Sequence, residues 1–180
     1  MISLDTLFWF FIILFGMIGM MRGWAKELLV AFSVVLSIFI TTLLESFIPF
    51  VRDTLVYEGG ANLFWFRTVV LAVIVFAGYQ SPNIPRLAQS GRFARERFQD
   101  MLLGLFIGAV NGYLIFGTVW FFLDAAGYPF PDIISAPLAG TAAGDAAARI
   151  LPLLAPNWLG TPTIYFAAAI ALAFVLIVFL

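Results

Sequence analysis

Five long apolar stretches, separated by shorter polar connections, dominate the pattern of the chain. Each approaches the roughly 20 residues that an apolar helix needs to cross a bilayer core about 30 Å thick. Strands are not predicted, because the stretches show no alternation of polar and apolar positions. The pattern therefore predicts an all-α, polytopic bundle of about five transmembrane helices, at residues 4–22, 28–48, 61–79, 101–123 and 158–180.

The connections predict how these helices are joined. The connection at residues 22–27 is short enough for a tight turn, so the first two helices should form an antiparallel hairpin. The longer connections at 80–100 and 124–157 are each expected to contain a short interfacial helix. We divide the chain into a membrane domain of four spans, an external segment rich in Ala, Gly and Pro, and a fifth span, at residues 1–124, 125–157 and 158–180.

Basic residues predict the orientation. Six of the nine lie in the 22–27 and 80–100 connections, and cytoplasmic connections are enriched in Lys and Arg. We therefore expect both connections in the cytoplasm, the N-terminus outside and Leu180 inside. A signal peptide would need basic residues before its apolar stretch, and no Lys or Arg precedes this one. The first stretch is therefore expected to remain as an anchor.

Composition supports lipid as the solvent and excludes several kinds of chemistry. Hydrophobic residues make up 63% of the 180 positions and charged residues 11%, against roughly half and a quarter in soluble domains. The formal net charge of −1 gives no basis for binding nucleic acid. The chain has no Cys and no His, which excludes disulfides, thiolate or imidazole metal ligands and catalysis by a His base. We predict no catalytic residue, no cofactor and no metal.

Two segments carry a resemblance to a known family. Asp5 opens the first helix, residues 22–27 read RGWAKE, and residues 100–112 read DMLLGLFIGAVNG at the start of helix four. Together they resemble the opening segment and the fourth-helix signature of the colicin V production protein family. Met101 and Asn111 stand where that family usually has Arg, and a fifth helix exceeds its commoner four-span plan. The resemblance implies a bacterial cytoplasmic (inner) membrane protein with a role in export or membrane homeostasis.

Small residues recur every four positions on three of the predicted helices. Such a face lets a neighbouring helix backbone approach closely in lipid. We predict that helix four packs through this face against the first hairpin, with a homodimer or a contact to a foreign subunit as the alternative. The residues concerned are Gly19, Gly23, Ser33, Ser37, Gly104, Gly108 and Gly112.

Charged residues flank the predicted turn and the start of helix four. Gly23 permits the sharp reversal, and Glu27 is expected to pair with Arg22 or Lys26 at the membrane boundary. A proton-binding or partner-binding cluster is the alternative interpretation. The arginines of the 80–100 connection should dock an amphipathic helix on anionic lipid, or else on a cytoplasmic protein. The predicted boundary charges are Arg22, Lys26, Glu27, Arg92, Arg95 and Arg97.

Further polar residues are predicted at depth or at the outer helix ends. Asn111 lies near the middle of helix four, where its amide needs a partner on another helix. Arg67 should extend its charge to the membrane interface, or else pair with a carboxylate at the outer helix ends. The possible buried polar site comprises Asn111, Arg67, Asp124, Glu45 and Asp5, and the other candidates for a polar pathway are Ser33, Ser37 and Thr118.

These patterns favour a non-catalytic membrane protein that contacts lipids and other membrane helices, in a homo-oligomer or a larger complex. One alternative is an accessory subunit of a respiratory or photosynthetic complex, because the chain is rich in bulky Phe and poor in charge. Another is a small transporter or channel, for which Asn111 and the outer charges are the available evidence.

Overall fold

The computed structural model describes residues 3–80 and 94–179, and the regular elements in these residues are all helical. Seven α-helices are accompanied by a π-helical turn at Val51–Val56 and a 3₁₀ turn at Leu151–Leu153 within the described part of the chain. The α-helices are α1 (Leu4–Arg22), α2 (Trp24–Phe47), α3 (Gly60–Tyr79), α4 (Ala94–Ala125), α5 (Ala142–Ile150), α6 (Ala155–Trp158) and α7 (Thr163–Phe179).

Four of these helices, α1 to α4, are long and apolar enough to cross a membrane. A fifth crossing results if Ala142–Trp158 and Thr163–Phe174 count as one span, which is bent by 63° at the break between them. The predicted all-α, multi-pass bundle is therefore confirmed. Many large apolar side chains are exposed on the outside of the bundle, as contact with lipid would require.

Two helix boundaries differ from the prediction. Helix α4 begins at Ala94 rather than at 101, because the residues between are good helix formers with no Gly or Pro to end the helix. Residues 94–98 therefore continue α4 and do not belong to a separate interfacial helix, while residues 81–93 lie outside the described part. The last helix begins at Thr163 rather than at 158, since Pro162 cannot donate a backbone hydrogen bond within a helix.

Helices α1 and α4 make backbone contact through glycines. A Cβ atom on Gly19 would lie 2.8 Å from the Cα of Gly108, and one on Gly112 would lie 2.8 Å from the Cα of Ile12. Both distances are shorter than real contacts, so larger residues at these positions would separate the helices. The turn into α2 is made by Gly23, whose φ of 87° is in the region that favours glycine.

The contacts define the direction of each helix. Along α4, Gly104 meets Gly19 and Gly112 meets Phe11, so α4 runs antiparallel to α1 and parallel to α2. We call the end of the bundle that carries the turn at Gly23 the turn face, and the end that carries Leu4 the N-terminal face. Helix α2 packs between α3, α4 and α7, and its buried side forms the centre of the apolar core.

The segment between α4 and α7 folds back onto the bundle. The Tyr113 hydroxyl of α4 donates to the carbonyl oxygen of Leu153 at 2.5 Å and accepts from Trp158 Nε1 at 3.1 Å. Leu154 and Ala155 are fully buried. Residues 151–161 therefore form part of the wall of the bundle at the N-terminal face, where they shape the site described below.

Candidate functional site

A fully buried carboxylate lies in the first turn of α2. Glu27 is 0% exposed, and its Oε1 accepts from Arg22 Nη1 at 2.8 Å. Its second oxygen, Oε2, accepts from Asn111 Nδ2 of α4 at 2.8 Å, and the same amide donates to the Glu27 carbonyl at 2.9 Å. Both carboxylate oxygens therefore have charged or polar partners, as a buried carboxylate requires.

Arg22 joins this carboxylate to α3. Its Nη2 donates to the carbonyl oxygen of Tyr79 at 3.0 Å, and its guanidinium lies 4.3 Å from the centroid of the Tyr79 ring. The planar guanidinium thus satisfies one of the last carbonyls of α3, stacks on its final aromatic residue and neutralises Glu27. We call Arg22, Glu27, Tyr79 and Asn111 the Glu27 network, which links the α1–α2 turn to α3 and α4.

Two atoms of the Glu27 network have no protein partner in residues 3–80 and 94–179. They are the Oδ1 of Asn111 and the hydroxyl of Tyr79, and both are buried. The Asn111 amide donates both of its described hydrogen bonds to a single residue, so its acceptor oxygen remains available. The charged groups of the network therefore have hydrogen-bond partners, whereas these two polar atoms have none in the described residues.

A second ion pair lies at the N-terminal face. Arg67 of α3 donates from Nε and Nη2 to the two carboxylate oxygens of Glu45 on α2, at 2.6 and 3.1 Å. The guanidinium lies 5.6 Å from the centroid of the Phe122 ring of α4. Both charged side chains are half-buried. These two hydrogen bonds make a bidentate Arg–carboxylate pair, which is stronger than a single-contact pair.

This ion pair lines a cavity of about 160 Å³, which we call the Glu45 cavity. Thr41 and Phe122 also line it, and the opposite wall is formed by Pro156, Leu159, Gly160 and Thr161 from the folded-back segment. Thr41 is 5% exposed, and its hydroxyl has no protein partner in the described residues. The cavity therefore has a charged rim, a polar group in its wall and apolar sides.

Two more buried hydroxyls lie one helical turn deeper than the cavity wall. Ser37 precedes Thr41 by four residues on α2, so it lies below Thr41 on the same helix face. Thr118 likewise lies below Phe122 on α4, which it precedes by four residues. Both are 0% exposed, and neither hydroxyl has a protein partner among residues 3–80 and 94–179. An unsatisfied hydroxyl at this depth costs about 1–3 kcal/mol.

The structure places the predicted packing residues at helix contacts. Gly19, Gly23, Gly104, Gly108 and Gly112 line the α1–α4 interface, with the Asp100 carboxylate next to Gly23. A larger residue at Gly78 of α3 would collide with the Ser33 side chain, so this serine lies at the α2–α3 contact. Ser37 is buried below the Glu45 cavity.

The predicted boundary charges separate into different environments. Glu27 is fully buried because α4 covers this end of α2, whereas its partner Arg22 is only partly buried. Lys26 is half-buried and Arg97 is exposed. Arg92 lies outside the described residues, and the structure describes the backbone of Arg95 without its side chain.

Of the four outer charges, the structure brings only Glu45 and Arg67 together as a described ion pair. Asp5 is half-buried in the first turn of α1, with an Oδ1 that has no described partner. Asp124 is exposed near the end of α4. Arg67 therefore pairs with the carboxylate of α2, which was the alternative to simple exposure at the interface.

Sequence reasoning missed Thr41 and the wall contributed by residues 156–161. The sequence could have predicted Thr41, since it lies midway between Ser37 and Glu45 at intervals of four residues on α2. It could not have predicted the folded-back wall, because no local pattern shows that residues 156–161 meet α2 and α3. Within residues 3–80 and 94–179, no group of three acidic side chains is arranged to hold a metal ion.

Comparisons of the chain with protein-family models, with curated proteins and with solved structures find no match. The fold and the two buried polar centres define the class instead. The chain is an all-α, multi-pass membrane-type bundle with a charge network at one end and an ion-paired cavity at the other.

Proposed function

We propose that the chain is a non-catalytic protein of the bacterial cytoplasmic membrane, of the colicin V production type, with a role in export or membrane homeostasis. One observation supports this above the others: the two segments that resemble that family contact each other. Gly23 lies against the Asp100 carboxylate, and Glu27 accepts from Asn111, one of the positions at which this chain departs from the family. Residues that are far apart in the chain thus form one structural unit.

The Glu27 network supports a structural role rather than catalysis. A general base must reach a proton on its substrate, whereas Glu27 is enclosed and both its oxygens are occupied by Arg22 and Asn111. Its contacts cross-link three helices and the α1–α2 turn. In this proposal the turn face lies in the cytoplasm, in line with its excess of basic residues.

Complementation tests the proposal. The chain is expressed in a bacterium that lacks its own colicin V production protein, and secreted colicin V is measured. We expect secretion to recover with the natural sequence and to fall with Glu27→Leu, whereas Phe106→Leu, at an exposed position of α4, should behave like the natural sequence. Membrane accumulation of each variant is measured in parallel.

Failure of the well-inserted natural sequence to restore secretion would count against the colicin V role. Purification in mild detergent then separates the remaining partners. Stoichiometric recovery with one large complex would favour an accessory subunit, and recovery as a free monomer or homo-oligomer would oppose it.

A small transporter is the second candidate, favoured by buried polar groups at both ends of the bundle. Glu45 and Thr41 lie near the N-terminal face, while Glu27 and Asn111 lie towards the turn face. Intramembrane charges commonly mark substrate or ion pathways. Liposomes that contain the purified protein should then exchange a solute, and Asn111→Leu should abolish the exchange. The absence of any flux would exclude this candidate.

A further inference from the structure

We infer that the Glu45 cavity is the mouth of a water-filled half-channel, which extends from the N-terminal face to Ser37 and Thr118 in the middle of the bundle. The inference goes beyond the proposed function and does not depend on it. It assigns water as the hydrogen-bond partner of buried hydroxyls that have no protein partner in the described residues. The supporting evidence is the cavity, the three hydroxyls and the depth at which they lie.

The cavity is suited to water in volume and in lining. At about 30 Å³ per water molecule, 160 Å³ has room for roughly five. Glu45 and Arg67 together carry no net charge, so the rim offers both acceptors and donors without selecting an ion of either sign. Thr41 supplies a further hydroxyl from the wall.

The hydroxyls below the cavity continue this polar lining. Ser37 and Thr118 each lie one helical turn, about 5.4 Å, below Thr41 and Phe122, which line the cavity itself. The two helices that carry them are parallel and pack against each other. Both hydroxyls therefore lie about one turn beneath the cavity, on the helix faces that line it.

Other hydroxyls of α2 show how such groups are usually satisfied. Ser33, Thr42 and Ser46 each donate to the carbonyl oxygen four residues earlier, at 2.7–2.9 Å. Thr41 and Ser37 belong to the same helix but make no such bond in the structure. Water is the partner that a buried hydroxyl without a protein partner ordinarily takes.

An apolar layer closes the half-channel towards the turn face. Val30 and Val34 on α2 and Leu114 on α4 are buried at the next turns down. Beyond this layer lies the Glu27 network, about 15 Å from Ser37 along α2 because ten residues separate them. The bundle thus holds a wet compartment and a separate charge network with a dry layer between them.

Cysteine accessibility tests the inference, because the chain has no natural Cys. Single substitutions Thr41→Cys, Ser37→Cys and Thr118→Cys are compared with Val34→Cys and Leu114→Cys, which lie at neighbouring depth in the dry layer. Membrane vesicles are exposed to silver ions, and the thiols that escape reaction are counted with a fluorescent maleimide after denaturation. We expect the first three thiols to react at least about tenfold faster than the last two, which need local opening.

The side of entry is a second readout. Tyr57→Cys marks the N-terminal face and Gln99→Cys marks the turn face, since both residues are exposed. Silver should reach Ser37→Cys and Thr118→Cys only when it is added on the side where Tyr57→Cys reacts. Thiols at these two positions that are as slow as those at Val34 and Leu114 would overturn the half-channel, even if Thr41→Cys reacts.

Hydroxyl-radical footprinting of the natural protein covers the case in which a cysteine variant does not fold. Phe122 and Phe8 are equally inaccessible in the structure, at 4% and 3% exposure. Phe122 lines the cavity, whereas Phe8 packs in an aromatic cluster with Trp120 and Phe116. Radicals formed from bound water should modify Phe122 and leave Phe8 intact. Equal protection of the two rings would also overturn the inference.

Discussion

Asn111 of α4 donates to Glu27 of α2 at two points, the carboxylate Oε2 at 2.8 Å and the backbone carbonyl at 2.9 Å. The two residues are 84 positions apart in the chain. Because one amide holds both the charge and the backbone of the same residue, it determines the register of α4 along α2.

Replacing Asn111 with Leu should destabilise the bundle by about 1–3 kcal/mol, the usual cost of leaving a buried acceptor without its donor. The cost arises because Glu27 remains buried while one carboxylate oxygen loses its partner. Thermal unfolding in detergent measures the change, with Phe106→Leu at an exposed site of the same helix as the control. Equal melting temperatures for the two variants would contradict the assigned role of Asn111.

Replacing Arg22 with Ala should be more damaging, at about 3–5 kcal/mol, because it leaves a buried carboxylate without its counter-charge. Arg22→Lys should recover only part of this loss, since an ammonium cannot both pair with Glu27 and keep the guanidinium contacts to Tyr79. A double-mutant cycle with Glu27→Leu measures the coupling. If Arg22→Ala with Glu27→Leu is no more stable than Arg22→Ala alone, the ion pair is not the source of the effect.

The helices were predictable from local patterns, whereas their lateral contacts depended on distant parts of the chain. Length and apolar character predicted α1 to α4, and Gly23 predicted the turn. A pair between Arg67 and an outer carboxylate was only the alternative interpretation, although Glu45 and Arg67 map to the same end of neighbouring helices. The burial of Glu27 was not predicted, since a residue four positions after the turn is expected at the membrane interface. The close α1–α4 contact through Gly19 and Gly108, together with the packing of α4 on α2, places α4 over Glu27.

The α1–α4 contact should tolerate no side chain at Gly108. A Cβ there would collide with the carbonyl oxygen of Phe15 and lie 2.9 Å from the Cα of Gly19, so the backbones must separate. We expect Gly108→Ala to cost about 1–3 kcal/mol, as overpacking of a close contact does. Gly160→Ala, at an uncrowded glycine outside the helices, is the control, because its nearest neighbour would be 3.7 Å away. Thermal unfolding of the two variants tests this, and equal stability would show that α1 and α4 can separate at no cost.

The ionisation of Tyr128, which follows α4 outside the spans, should depend on its burial. Burial raises the pKa of Tyr128 to about 12, and the bond that its oxygen accepts from Trp120 Nε1 at 3.2 Å opposes this only in part. Because the pKa is higher in the folded state than the ordinary value of about 10, this phenol contributes stability below about pH 10 that is lost as the pH rises towards 12.

Difference titration isolates the group. The tyrosinate absorbance of the natural protein minus that of Tyr128→Phe should appear near pH 12 in the folded state and near pH 10 after denaturation. Unfolding measured across the same range should show the natural protein losing stability relative to Tyr128→Phe as the phenol is forced to ionise. If the folded-state difference instead rises near pH 10, the turn after α4 is open to solvent and does not pack on Trp120.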